Sequence, residues 1–166
     1  GTNPKNKKIF NIPTIKESIF FKSKVKNKNF VIAIGDIDKR VNCYKNIIKK
    51  FPSAKFPSII HPNTSISKDV NIGIGTVVMS NVTINISSKI GKFCIINTST
   101  TIDHDCNLKD FVSLAPNVAL AGTCTINKKS FIGIGSSIIN NIKIGSSVTI
   151  GAGSLVIKDL LSSGTY

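Results

Sequence analysis

One of the two histidines in this chain stands between two carboxylates, in Thr101-Ile102-Asp103-His104-Asp105-Cys106. A free imidazole titrates near 6.5, and an adjacent carboxylate can orient the ring and stabilise its protonated form, as general-base catalysis requires. The competing reading is an exposed turn histidine with no chemical duty. What separates them is whether anything else in the chain converges on His104, which depends on the elements that place it.

Those elements are legible as a repeat. From Ser65 to Leu160 an aliphatic residue returns every six positions: Ile66, Ile72, Val78, Ile84, Ile90, Ile96, Ile102, Leu108, Leu114, Leu120, Ile126, Ile132, Ile138, Ile144, Ile150 and Val156. Ile, Val and Leu are 32 of the 106 residues from His61 onward, so a phase unbroken over sixteen hexads is structural. Neither the helical period of about 3.6 nor the strand period of about 2 predicts a strict six, whereas a parallel β-helix built from hexapeptides does. The expectation is just over five triangular coils over residues 65–160, three hexads to each. Residues eighteen apart in sequence then stack at the strand spacing of about 4.8 Å.

The stacking rule places Gly122 one coil beyond His104. Glycine there leaves space beside the imidazole, and its backbone N–H is a candidate donor to an oxyanion; the alternative is a plain turn glycine in Ala119-Leu120-Ala121-Gly122-Thr123. Phe93 and Phe111 are also eighteen apart and are expected to form an aromatic ladder near the edge that carries His104, buried against another subunit or by ordinary edge packing. Gly73, Gly91, Gly133, Gly145 and Gly151 each follow a phased aliphatic and fit turn positions that need unusual backbone angles. The position four after each phased aliphatic is small or aliphatic and reads as inward. It includes Cys94, Cys106 and Cys124, with no CxxC spacing. Stacking places Cys106 and Cys124 near disulfide range, while the cytosolic compartment expected below favours free thiols.

Residues 1–60 lack the six-residue phase. Lys28 to Asp36 reads as a buried strand ending at Gly35-Asp36, Ile37 to Lys50 as an amphipathic helix, and Phe56 to Ile60 as a second short strand. This is part of an α/β unit, and the end of its strand at Gly35 is where such folds place ligands.

Residues 1–60 hold 14 Lys+Arg against 3 Asp+Glu, and residues 61–166 hold 8 against 5, which accounts for the net charge of +14. Dispersed lysines in a Lys-, Asn- and Ile-rich chain read as a solvated face rather than a nucleic-acid surface. Every apolar run is short or punctuated, so neither a signal peptide nor a membrane span is expected, and the reading is a soluble, cytoplasmic protein.

Taken together, Phe30-Val31-Ile32-Ala33-Ile34-Gly35-Asp36, His61-Pro62, Ile96-Asn97-Thr98, Ile102-Asp103-His104-Asp105-Cys106, Ala121-Gly122 and Ile150-Gly151-Ala152-Gly153 resemble the hexapeptide-repeat sugar acyltransferases. The resemblance is to the UDP-bacillosamine N-acetyltransferase and sialic acid O-acetyltransferase type, and it covers essentially the whole chain. It implies a partial α/β nucleotide-sugar-binding domain over residues 1–61 and a left-handed β-helix acyltransferase domain over residues 62–166. It also implies a homotrimer with sites between adjacent β-helices, with acetyl-CoA as co-substrate and no metal. His104 would match the general base, Asp105 the acid that tunes it, and Gly122 the backbone donor to the thioester oxygen. Asn97, Gly35 and Asp36 would lie near the nucleotide-sugar, and Gly135 and Ala152 at turns along the coenzyme. Ser113 stands on the substrate side, where many relatives carry a second histidine. The Gly-rich loop of the α/β unit and the Pro-Ala-Lys-like tail of the family have no counterpart, so both the nucleotide pocket and the adenine end of the coenzyme site are expected to be incomplete.

The reaction this implies is direct N-acetylation of a nucleotide-linked amino-sugar in surface glycan synthesis, with O-acetylation of sialic acid or a non-catalytic β-helix as alternatives. A zinc hydratase on the same fold needs three histidines per site, which His61 and His104 supply poorly.

Overall fold

The computed structural model describes residues 8–22 and 29–166. Its dominant element is a parallel β-solenoid of three faces, each a ladder of two- or three-residue strands. Successive strands on a face are offset by eighteen residues, as in Thr83, Thr101 and Ala119, which pair in register. The first face runs from Ile59–Ile60 to Val148–Ile150, with Gly164–Thr165 added at its end. The second runs from Ser65–Ile66 to Leu155–Val156, and the third from Asn71–Ile72 to Lys143–Ile144. Leu160 extends the third face by a bridge to Ile144. Strand Ile59–Ile60, expected to close the α/β unit, instead pairs with Val77–Val78 and opens the first coil. The solenoid therefore has about six turns instead of just over five.

The phased aliphatics point inward. Ile84, Ile96, Ile102, Leu114, Ile126, Ile132 and Ile144 are each 0% exposed, and burying each such side chain contributes roughly 1.5–3 kcal/mol. Four residues on, the small inward residues do more than fill space. Ser88 Oγ donates to the Asp103 carbonyl, Thr100 Oγ1 to that of Ala115 and Ser130 Oγ to that of Gly145. The thiols of Cys94, Cys106 and Cys124 point at the carbonyls of Lys109, Ala121 and Ile139. Each bond spans fifteen residues, so a buried donor is satisfied while adjacent coils are joined. All four cysteines are free thiols.

The corners follow an equally strict period. From Gly75 to Gly153 every sixth residue takes positive φ, Asn81, Phe93, Asp105, Phe111, Thr123 and Ser147 among them. This is the third residue after each phased aliphatic, not the first, so the glycines expected to carry unusual angles do not carry them. Gly73 is required by space instead: a Cβ there would stand 2.6 Å from the carbonyl carbon of Gly91.

In the N-terminal unit, a short hairpin pairs Lys8–Ile9 with Ile12–Pro13. Helices α1 (Glu17–Lys22) and α2 (Ile37–Lys50) follow. Helix α2 has the expected bounds, and Asp36 caps it by accepting a hydrogen bond from Lys39 N at 2.8 Å. The strand expected from Lys28 to Asp36 begins outside the described residues. From Phe30 to Gly35 the chain forms no ladder, because the only pairing beside it among the described residues is the bridge of Asn29 to Lys55. Ile32 is buried there, but Val31 is 52% exposed.

Phe93 and Phe111 do stack, with centroids 5.2 Å apart and planes 11° apart. They stand on the edge between the third and first faces, away from His104, and are covered by the chain's own N-terminal unit. Tyr44 lies 4.4 Å and Phe56 5.1 Å from Phe93. The three outer faces differ in chemistry. The third presents Asn71, Lys89, Asn107, Thr125 and Lys143, the second presents Ser65, Thr83, Thr101, Ala119, Ser137 and, at its end, Leu155, and the first presents Ile59, Val77, Ile95, Ser113, Phe131 and Thr149.

Candidate active site

His104 lies on the turn that joins the second face to the third, two residues after Ile102. The turn closes because Asp105 takes the left-handed conformation, with φ 58°. The Asp105 carboxylate then reaches back to His104 Nδ1 at 2.8 Å. A proton on Nδ1 donated to that carboxylate leaves Nε2 as the free acceptor. Nε2 lies over Gly122, where a Cβ would come within 2.7 Å of both Cε1 and Nε2. The coils are joined at this point by Thr123 N donating to the His104 carbonyl at 2.9 Å. Among the described residues no acceptor takes the Gly122 N–H. The stacking rule therefore brings His104, Asp105 and Gly122 together as expected.

The Asp103 carboxylate accepts the backbone N–H of His104 at 2.8 Å and the side-chain amide of Asn85 at 2.9 Å. These bonds, Asn85 first, hold the Asp103 carboxyl below the usual carboxylate range. His104 is raised above its ordinary value, chiefly by the hydrogen bond to Asp105 and then by the charge of Asp103. Asn85 was not a sequence candidate, although the eighteen-residue rule places it directly under Asp103. Beside the turn, a cleft of about 510 Å³ runs over the small residues of the second face, lined by Asn85, Thr101, Asp103, Ala119, Ala121 and Ser137.

The remaining candidates other than Ser113 occupy the other two edges. Asn97, Gly135 and Ala152 lie on turns between the first and second faces, Gly135 at φ 67° with nothing within 4 Å of a Cβ. The side chain of Asn97 caps Thr98 N at 2.8 Å. Gly35 and Asp36 lie at the edge between the third and first faces and line a cleft of about 530 Å³ with Asp38, Lys129, Phe131 and Ser147. Lys129 reaches Asp38 at 3.3 Å across it.

Ser113 lies on the first face and is only 4% exposed; its Oγ accepts from Arg40 Nη2 at 2.7 Å. It therefore does not stand with His104 in the folded chain. Arg40 was missed by the sequence reading, although it is the sole arginine among 22 basic residues.

A neutral imidazole at Nε2, a carboxylate behind it and a backbone N–H under it can take a proton from a nucleophile while an oxyanion forms. Among the described residues no group of three or more His, Cys, Asp or Glu is placed to hold a metal ion. No helix among them is long and apolar enough to cross a membrane.

No family model matches the sequence. Solved structures do resemble this one. PerB from Caulobacter crescentus, in complex with CoA and GDP-perosamine, matches with a TM-score of 0.89 and 31% identity, over 95% of this chain and 76% of that one. A histidine-to-asparagine mutant of perosamine N-acetyltransferase from the same organism, with the same two ligands, matches with a TM-score of 0.87 and 30% identity, over 95% and 75%. The acetyltransferase domain of PglB from Neisseria gonorrhoeae, in complex with acetyl coenzyme A, gives 0.88 and 30%, over 95% and 77%.

Proposed function

The chain belongs to the hexapeptide-repeat sugar N-acetyltransferases, and from that premise we propose that it transfers the acetyl group of acetyl-CoA to the amine of a nucleotide-linked amino-sugar, with His104 as general base. The observation that carries this reading is the position of His104 Nε2 over Gly122, with Nδ1 held by Asp105.

The amine attacks the thioester carbonyl carbon and its proton passes to Nε2. The carbonyl oxygen, now an oxyanion, takes the Gly122 N–H. As the tetrahedral intermediate collapses, the C–S bond breaks and the imidazolium returns its proton to the departing thiolate. On this reading the coenzyme lies along the second face, in the cleft over its small side chains beside the His104 turn, with its far end at the turns of Gly135 and Ala152. The nucleotide-sugar, on the same reading, lies in the cleft at Gly35 and Asp36, between the N-terminal unit and the solenoid edge.

These two clefts lie on different edges, and the polar third face of the same chain stands between them. A second copy whose apolar first face packs on the small residues of the second face would bring its own Gly35 edge opposite His104. Three such contacts close a ring. The reading is therefore a left-handed β-helical homotrimer with each site shared by two protomers.

The test is acetyl transfer from acetyl-CoA to a panel of nucleotide-linked amino-sugars and to sialic acid, followed by CoA release. Transfer to an amine that is lost in His104→Ala is expected. Preferential transfer to the sialic acid hydroxyl, or equal rates in the two proteins, would reject the assignment.

A further inference from the structure

Arg40, on the first turn of α2, is 1% exposed and uses all five of its N–H donors. Nη1 donates to the carbonyls of Ile34 at 2.9 Å and Gly35 at 2.7 Å. Nε donates to the carbonyl of Phe93 at 3.1 Å. Nη2 donates to the carbonyl of Phe111 at 3.3 Å and to Ser113 Oγ at 2.7 Å. Two of these acceptors belong to the segment that leads into the Gly35-Asp36 cleft and three to the solenoid. Every acceptor is neutral.

A buried cation held only by dipoles is an expensive way to fasten two elements, since apolar packing of the same volume does as well or better. What the planar fork adds is a fixed geometry among several acceptors at once, which an ammonium does not supply. A chain that uses lysine at 21 of its 22 basic positions places its one arginine where that geometry is demanded. The acceptors also adjoin the cleft: Gly35 lines it directly, and Ser113 pairs in register with Phe131, which forms its wall.

We infer that Arg40 is a positioning residue for acceptor binding, clamping the Ile34-Gly35 carbonyls to the solenoid edge so that the cleft at Asp36 keeps the width and orientation a nucleotide-linked substrate needs. This rests on the assignment of that cleft to the nucleotide-sugar. Arg40 touches neither His104 nor the second-face cleft, so its effect is confined to one of the two substrates.

The experiment compares wild type, Arg40→Met, Arg40→Lys and Ser113→Ala. It measures KM for the nucleotide-amino-sugar, KM for acetyl-CoA, kcat, and amide hydrogen exchange over residues 34–38 and across the solenoid. Arg40→Met is expected to raise the acceptor KM at least tenfold, with acetyl-CoA KM and kcat within about threefold. Arg40→Lys should restore little, because one ammonium cannot reach both sides of the clamp, and Ser113→Ala should show a smaller shift in the same direction. Exchange should quicken at residues 34–38 and stay unchanged in the coils beyond Leu114.

Parallel changes in both KM values and kcat, full rescue by Arg40→Lys, or an unchanged acceptor KM would overturn the inference. If Arg40→Met does not fold, Ser113→Ala decides on the same KM split. If the wild-type protein acetylates no nucleotide-sugar, the functional reading fails instead. Exchange at residues 34–38 then decides alone: quickening in Arg40→Met upholds the clamp, and an unchanged rate overturns it.

Discussion

The imidazole of His104 occupies the space that a side chain on Gly122 would fill, with Nε2 and Cε1 each 2.7 Å from the position of a Cβ. The two residues belong to consecutive coils and meet because the repeat places eighteen residues between them.

Gly122→Ala should therefore act on chemistry rather than folding. The new methyl meets the end of a flexible, half-exposed side chain, so the ring swings aside and the coils stay in register. The expected result is a fall in kcat approaching that of His104→Ala, about 10²–10⁴-fold, with melting temperatures close to wild type for both. A Gly122→Ala protein with normal kcat would show that the ring does not work from this position.

The pH dependence follows from the raised pKa of His104. The free base is needed, so kcat/KM should fall as pH drops through a midpoint above 6.5. Asp105→Asn removes the largest cause of the shift and should move that midpoint to lower pH while lowering kcat. Stability runs the other way. A raised folded-state pKa favours the folded protein fully below the unfolded value near 6.5, and that contribution is lost as pH rises through the folded value. Rate profiles of the two proteins from pH 5 to 9 check the first claim; coincident acid limbs would contradict it.

Much of this is legible in the sequence. The six-residue phase requires the coils, and the eighteen-residue rule pairs His104 with Gly122 and Phe93 with Phe111. The rule does not say which corner faces what. Phe93 and Phe111 stack, but Tyr44 and Phe56 cover them, and nothing in a hexad predicts that an adjoining unit will dock there. Ser113 was read through a family position, whereas its hydroxyl holds Arg40. Arg40 escaped because one basic residue among many carries no periodic signal; its being the sole arginine was the available clue. The segment from Phe30 to Gly35 reads as a buried strand by composition, but pairing depends on a neighbour that local sequence does not report.

Thiol chemistry separates the cysteines. Cys94, Cys106 and Cys124 are at most 1% exposed. Burial pushes the Cys94 thiol up to about 12, while the contact between the Cys106 and Cys124 sulfurs pushes Cys106 up and Cys124 down, so the silence of Cys124 rests on its burial alone. Native protein treated with a thiol reagent near pH 8 should release signal for no more than one cysteine, Cys43, and for all four once unfolded. Fast reaction of three or four in the native state would contradict the inward placement.

Core truncation gives the energetic test. Ile126 is 0% exposed and pairs with Leu108 and Ile144 on either side. Ile126→Ala should cost about 2–5 kcal/mol and Ile126→Val about 0.5–1.5 kcal/mol, read from denaturant unfolding. A smaller loss for alanine than for valine would mean the coil does not stack as described.

The three faces also restrict how this chain can change length. Removing one residue breaks the phase outright. Removing six preserves it but turns everything downstream by a third of a revolution, so that residues of the apolar face would continue the lysine-bearing one. Only eighteen residues can be gained or lost with every face keeping its chemistry. In evolutionary terms the indivisible unit of the fold is the whole coil rather than the hexad, and a coil inserted between His104 and Gly122 would part them as surely as substituting either.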